Sequence, residues 1–469
     1  MSDTVDARWR AWTESRPLRV DGEALFTHLH ADDEIAVWLD SAQTAYGMGR
    51  WSILGAPDGG RADVRDFAPG DDPWTAVADD IAARPVAPIP GLPFAGGWVG
   101  WIGYGAKDIG ASAAPGEPIA QLVRLSRFVV VDHREHVVHA VAVGPEADAA
   151  DGRAWLDRTL ARIEACPPAP AVPPAPSPVA ATASVDRARY GADLAEVRTW
   201  LEAGDSYEAC YTYALRVPVA EEPLGAYRRL RRANPAPYAA FLRLPGRSVL
   251  SCSPERYLAV APDGRAETKP IKGTARRVDD PIGDSAAARA LAADPKTRAE
   301  NLMIVDLLRN DLGRVSAPGS VEVPDLMAVE SYATVHQLVT VVRSRLLPGP
   351  SAGVRAAQAL FPPGSMTGAP KRRTVELLDR LEAAPRGVYS GVLGLFSRCG
   401  AVDLSVVIRT AVIRDGEAVI GTGGAITIDS EVSSEADETV AKSAALLDVF
   451  GARHPFSSRT ASASQTADA

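Results

Sequence analysis

The chain has 469 residues, 46% of them hydrophobic, enough to bury a large core in two or three domains or in one large composite domain. Its 50 basic residues are outnumbered by 59 acidic ones, giving a net charge of −9, and no basic run breaks that balance, which argues against a nucleic-acid footprint. Cys166, Cys210, Cys252 and Cys399 are far apart and form no CxxC, which argues against a disulfide framework or a zinc site and leaves each as a small buried hydrophobe. MSDTVDARWRAW lacks the apolar core of a secretory signal, and no apolar run approaches the roughly 18 residues of a membrane span, so a cytoplasmic location is expected.

In chain order, the N-terminal part carries short β-like runs at 35–39, 51–54 and 128–131. Segment 96–105 (GGWVGWIGYG) alternates glycine with aromatic and aliphatic residues, and 389–397 (YSGVLGLFS) echoes it, as an internal duplication would. The proline- and alanine-rich stretch 167–183 predicts an extended, solvated linker. It divides an N-terminal region (1–165) from a second region (185–455), followed by a Ser/Thr/Ala-rich tail (456–469) expected to be disordered.

The second region mixes helices and strands. A helix is predicted over 294–313, with Asp294 as N-cap, Pro295 at the first position and Gly313 as the stop. Others are predicted over 370–382 and over 434–450, the last capped by Ser434. Strands are expected at 389–396, 403–413 and 417–421, with an Asp415-Gly416 turn before the last. The pattern is α+β, with helices covering a large, mainly antiparallel sheet. No Walker A string occurs, and no GxGxxG leads from a strand into a helix, so nucleotide chemistry has no support.

Four constellations bear on chemistry. Glu435, Glu438 and Lys442 share one helix face. Alone they are a solvated stripe with a Glu–Lys pair. Opposite a carboxylate from a second helix they are a hard-cation site. Glu300 is a candidate for that carboxylate, with Asp306, Asn310 and Asp311 also available. Glu255 in SCSPERYLAV and Lys272 in TKPIKGTARR are ordinary surface charges or a reactive pair, the lysine a nucleophile in a desolvated site and the glutamic acid a proton donor. Loop 361–371 (FPPGSMTGAPK), which contains Thr367, precedes a helix N-terminus suited to an anion, and GTGGA at 421–425 offers similar backbone donors. Arg409, a charge among apolar neighbours, calls for a carboxylate, from a ligand or from a structural salt bridge.

Taken together, PERY, PIKGTARR, AENLMIVDLLRNDLGRV, SYATVHQL, PGSMTGAPK, RGVYSG, VVIRTA and SEADETVAK occur in the order found in the chorismate-binding enzymes. That family holds anthranilate synthase large subunits, aminodeoxychorismate synthases, and isochorismate and salicylate synthases. The chain resembles it from about 185 to 452, and more loosely before that. The resemblance implies a two-layer α/β sandwich of the anthranilate synthase component I type, its antiparallel sheets covered by helices around a central cleft. It implies Mg²⁺ held by Glu300 and Glu438 with Glu435 close by. It places chorismate around Gly273, Thr274, Thr367, Tyr389, Arg409, Gly423, Gly424 and Ala425, with Lys442 and His336 in the same pocket and His336 in a catalytic role. Two positions depart from the family pattern: Ala425, where glycine is common, and Thr297, where relatives often place a second acidic residue.

Lys272 sorts the family's reactions. Anthranilate synthases usually carry alanine there, whereas PIKGT resembles aminodeoxychorismate synthases. In those the lysine is thought to attack C2 of chorismate while the C4 hydroxyl leaves; ammonia then enters at C4 and expels the lysine. Glu255 would serve the leaving hydroxyl. Isochorismate and salicylate synthases carry a water-activating lysine where Glu208 stands. The expected product is 4-amino-4-deoxychorismate, the precursor of 4-aminobenzoate and folate. No cysteine sits in a GxCxG string, so the implied partner is a glutamine amidotransferase subunit supplying ammonia. WLDS, RWSI and NPAPY resemble a tryptophan pocket of relatives, involving Ser41, Arg50, Trp51, Pro237 and Tyr238; ordinary core packing is the other reading. The alternatives are an anthranilate synthase component I and a non-catalytic chorismate or tryptophan sensor. A sensor would be expected to have lost catalytic groups, yet Glu255, Lys272, Glu300, His336 and Glu438 are all present.

Overall fold

The apolar runs become strands that pair across the proline-rich segment. A computed structural model describes residues 8–109, 116–333, 335–349 and 351–457. Their strands fall into two antiparallel sheets of twelve and ten strands. In the first sheet Ala36–Asp40 from the N-terminal region pairs with Tyr238–Leu244. In the second, Gly97–Ile102 pairs with Val392–Ser397. The two echoing glycine-rich strings are therefore neighbours, with Gly100 opposite Gly394. Both sheets are built from both sides of the linker.

Three apolar clusters explain the layering. One lies between the sheets, joining Val37, Ile53 and Phe241's neighbour Leu242 from the first to Val99, Trp101 and Leu393 from the second. The other two fill the outer faces, where helices cover each sheet: Val432–Val449 and Arg187–Glu202 on the first, Pro295–Gly313 and Ala352–Leu360 on the second. The result is two α/β layers packed sheet to sheet, as the fold class predicts. Period-two strands bury both faces when a helix covers one and a second sheet the other.

The linker is extended, and it is also pinned. Proline removes donors but keeps carbonyl acceptors. Arg228 donates to the carbonyls of Pro170 and Ala171, and Arg229 to that of Pro174. Thr182–Ala183 then joins the first sheet beside Leu215 and Arg216. Beyond the second region, Phe456 is buried and stacks on Tyr213 at 5.4 Å, Ser457 is exposed, and 458–469 of the expected tail lie outside the described residues.

Three local expectations shift. The last helix runs Val432–Val449, with Glu431 rather than Ser434 at the cap position and no side-chain cap bond. The run 403–413 is two strands, Val402–Val406 in the second sheet and Thr410–Arg414 in the first. Tyr389 precedes its strand, which begins at Val392. The helix Pro295–Gly313 is as predicted, with Asp294 accepting from the Thr297 amide at 2.7 Å. All four cysteines are free. Among the described residues no helix is long and apolar enough to cross a membrane.

Candidate active site

A candidate residue sits at each of two points where the chain passes from one sheet to the other. Glu255 lies between Arg247–Ser253 of the first sheet and Arg256–Val260 of the second. Arg409 lies between Val402–Val406 of the second and Thr410–Arg414 of the first, in the left-handed region at φ 51°. The crossings brace each other: the Val406 amide donates to the Glu255 carbonyl at 3.1 Å, and the Cys252 amide to the Arg409 carbonyl at 3.0 Å. A left-handed arginine is sterically costly, and the bracing over-determines it.

Lys272 lies on the edge strand Ile271–Arg276 and reaches Glu208, the first residue of Glu208–Pro218 in the opposite sheet. Both are buried, at 7% and 1% exposure. Burial alone would lower the Lys272 ammonium, but the Glu208 carboxylate, seconded by Glu300, outweighs it and holds the lysine above its ordinary value. The resting side chain is an ammonium. Gly273 beside it has φ 81°, and a Cβ there would run into the methyl of Thr297, so the turn into the cleft needs glycine.

Glu255 has the opposite character. Burial pushes its carboxyl up to about 7, although the Ser365 hydroxyl donates to it at 2.7 Å and Lys272 and Lys442 oppose the shift. A carboxyl poised there is protonated in a large fraction of molecules at neutral pH, as a general acid requires.

Glu300, on Pro295–Gly313, is likewise raised to about 7, by burial and by repulsion from Glu208 and Glu438, with Lys272 and Lys296 pulling the other way. Glu435 and Glu438 descend from Val432–Val449 over Gly424, where a Cβ would come within 3.2 Å of Glu435 Oε2 and 4.0 Å of Glu438 Oε1. Lys296 pairs with Glu435 at 2.6 Å and lies 3.9 Å from Glu300; Lys442 pairs with Glu438 at 2.5 Å. Burial would raise Glu438, but Lys442 outweighs it and holds the carboxyl below its ordinary range. Among the described residues no three carboxylate, imidazole or thiol groups converge at metal-binding distance. The lysines neutralise the acids instead. The donor set nonetheless fits Mg²⁺: all oxygen, two helices, and a buried Glu435 Oε2 without a hydrogen-bond partner among the described residues.

The remaining candidates separate into two groups. Tyr389 lies flat against Gly421, where any side chain would overlap its ring, and burial raises its phenol. The Arg409 guanidinium, lowered by burial, has no ion pair among the described residues, so the structural salt bridge is not formed. Gly423, Gly424 and Ala425 pair with Thr212, Tyr211 and Cys210, and Lys442 donates to the Gly423 carbonyl at 3.3 Å. Thr274 follows Gly273 on the same exposed strand end. Lys442 and Lys272 both act on Glu255, and Tyr389 and Glu438 both act on Arg409. Thr367 is buried and its hydroxyl donates to the Pro363 and Gly364 carbonyls of its own loop. His336 is buried opposite Ala275, its ring nitrogens 2.7 Å from Ser331 Oγ and 3.0 Å from Asp284 Oδ1.

A separate cavity of about 160 Å³ is lined by Ser41, Arg50, Trp51, Pro237 and Tyr238 among others, the five residues of the expected tryptophan pocket. Arg50 caps it, stacked 4.3 Å over Trp51 and held by Asp132 at 2.6 Å. Tyr238 is fixed by Asp403 and Arg256. Glu255, Lys272, Glu300 and Arg409 are not among the cavity's lining residues.

Sequence reasoning missed Ser365 and Lys296 and did not pair Glu208 with Lys272. Ser365 stands in the glycine-rich loop, and its partner is 110 residues away. Lys296 was visible one turn before Glu300, but its bond to Glu435 crosses 139 residues.

The family model for chorismate binding enzymes matches residues 36–448. An aminodeoxychorismate synthase of Streptomyces pristinaespiralis is 43% identical over 463 residues, covering 92% of this chain; the chain spans 64% of that relative's length. An aminodeoxychorismate synthase component 1 of Salmonella typhimurium is 38% identical over 387 residues, 79% of this chain and 81% of the relative. The crystal structure of anthranilate synthase component I from Streptococcus pneumoniae superposes with a TM-score of 0.73 at 28% identity, covering 85% of this chain and 92% of that one. The chain belongs to the family of chorismate binding enzymes.

Proposed function

We propose that this chain aminates chorismate at C4 to give 4-amino-4-deoxychorismate, with Lys272 as the covalent nucleophile. The observation that carries the reading is a buried lysine whose charge acts on a buried acid poised near pH 7. Arg409, with no ion pair among the described residues, would take a substrate carboxylate. Lys272 Nζ, once neutral, attacks C2 while Glu255 donates its proton to the departing C4 hydroxyl, which leaves as water. Ammonia then bonds to C4, the C2–N bond breaks, and the new ammonium returns a proton to Glu255. Tyr389 and Gly421 wall the ring, and the 423–425 backbone and Lys442 bind the substrate's polar groups. Thr367 holds the loop that presents Ser365, and His336 anchors the strand opposite Lys272. Glu300, Glu438 and Glu435 would hold Mg²⁺, which would supply neutralising charge for an anionic substrate.

Ammonia comes from glutamine through a partner amidotransferase, as the name component 1 of a relative suggests. The product supplies 4-aminobenzoate and folate synthesis in the cytoplasm. Residues 185–455 carry the chemistry, while 1–165 complete both sheets. The 160 Å³ cavity takes tryptophan, as ligand or effector, because an arginine cap stacked on Trp51 and a fixed Tyr238 suit an amino acid.

The test is product identity. Purified protein is incubated with chorismate, Mg²⁺ and ammonium, with and without an aminodeoxychorismate lyase, and analysed by chromatography with mass detection. 4-Aminobenzoate that appears only with the lyase is the expected outcome. Anthranilate formed without the lyase would make the chain an anthranilate synthase component, and no turnover would favour a sensor.

A further inference from the structure

Glu208 has no task in the amination scheme, yet it is the residue most closely bound to the nucleophile. It is 1% exposed, one oxygen meets Lys272 Nζ, and the other, Oε2, is buried with no hydrogen-bond partner among the described residues. Leaving a buried carboxylate oxygen unpartnered is costly, and such groups concentrate where protons move. The pair is built from two different sheets, an edge strand of one and the first residue of a strand in the other, so its contact is fixed by the whole fold. An ammonium is not a nucleophile; some group must take its proton before attack. Among the described residues Glu208 is the carboxylate bonded to Nζ, and the site is too buried for bulk water to be the first acceptor.

We propose that Glu208 is the catalytic base for Lys272, accepting the ammonium proton when chorismate fills the cleft and returning it when the lysine is expelled. The inference rests on the amination reading above. One proton moves from Nζ to Oε1, giving a neutral amine and a neutral carboxylic acid. The Nζ lone pair forms the bond to C2 as the C4–O bond breaks, with the hydroxyl protonated by Glu255. When ammonia has bonded to C4 and the C2–N bond has broken, Lys272 leaves as a neutral amine and recovers its proton from Glu208. Both residues end as they began, and the net reaction is chorismate plus ammonia to aminodeoxychorismate plus water.

The experiment compares wild-type protein with Glu208→Gln, Glu208→Asp and Lys272→Ala in the lyase-coupled assay, from pH 6.5 to 9 at constant free ammonia, with folding checked by thermal melting. Glu208→Gln should lose about a hundredfold in kcat at pH 7. Relative to wild type at the same pH, which cancels the shared titration of Glu255, it should regain rate by up to about tenfold per pH unit as hydroxide takes over the deprotonation. Glu208→Asp should recover part of the loss at pH 7. If Glu208→Gln stays within about threefold of wild type at pH 7, or loses rate equally at every pH, Glu208 is a structural counter-ion and the proposal falls. If Lys272→Ala remains active, or wild type makes no 4-amino product, the amination reading fails and takes the proposal with it. Loss in Lys272→Ala with retention in Glu208→Gln removes the proposal alone.

Discussion

A carboxyl that keeps its proton at neutral pH must be held there against water, and Glu255 is held by burial at the sheet crossing. Its folded-state value of about 7 lies above the ordinary 4.5. The stability it contributes is therefore complete below about pH 4.5 and is lost as pH rises through 7. Glu255→Gln, which cannot ionise, should resist urea as well as wild type at pH 4 and better at pH 8, by up to about 3 kcal/mol. The same variant should lose about 10²- to 10⁴-fold in turnover of chorismate. Stability gained and activity lost in one substitution would mark Glu255 as a strained functional acid; parallel losses would mark it as structural. Glu255, Lys272 and Arg409 were legible as single charges in apolar or glycine-bearing strings. The Lys272–Glu208 bond was not, because it spans 64 residues and joins strands of different sheets.

At the scale of elements, the two helices that carry the carboxylates differ in how they start. Pro295–Gly313 has a cap: Asp294 accepts from the Thr297 amide, and the Thr297 hydroxyl, with that bond second, holds the Asp294 carboxyl below its ordinary value. Asp294→Ala should cost about 1 kcal/mol of stability, measured by denaturant midpoint at neutral pH. A depressed carboxyl contributes above its unfolded value and loses that contribution as pH falls through the folded one, so the difference should shrink in acid. Asp, Pro and Gly in sequence made this helix readable. Val432–Val449 has no side-chain cap, so nothing in the residues marked its first turn, and Ser434 was the wrong signal. The run DLSVVIRTAVI misled for another reason. Both arms are apolar enough for a single strand, and only the left-handed Arg409 breaks it. Periodicity records burial, and burial continues unbroken while the chain changes sheets.

Over the whole molecule, the linker marks a boundary in sequence that the sheets do not respect. Tyr238–Leu244 lies beside Ala36–Asp40, and Val392–Ser397 beside Gly97–Ile102. Limited proteolysis within the exposed strap at 167–181 should yield two fragments that co-elute in gel filtration under native conditions and separate in denaturant. Fragments that part without denaturant would contradict this pairing. The segment before the strap is therefore not a cassette that recombination could exchange or discard. Without it, each half presents open central strand edges, which pair indiscriminately. A gene broken inside the strap would yield a working enzyme when both products are made in one cell, and insoluble protein when either is made alone.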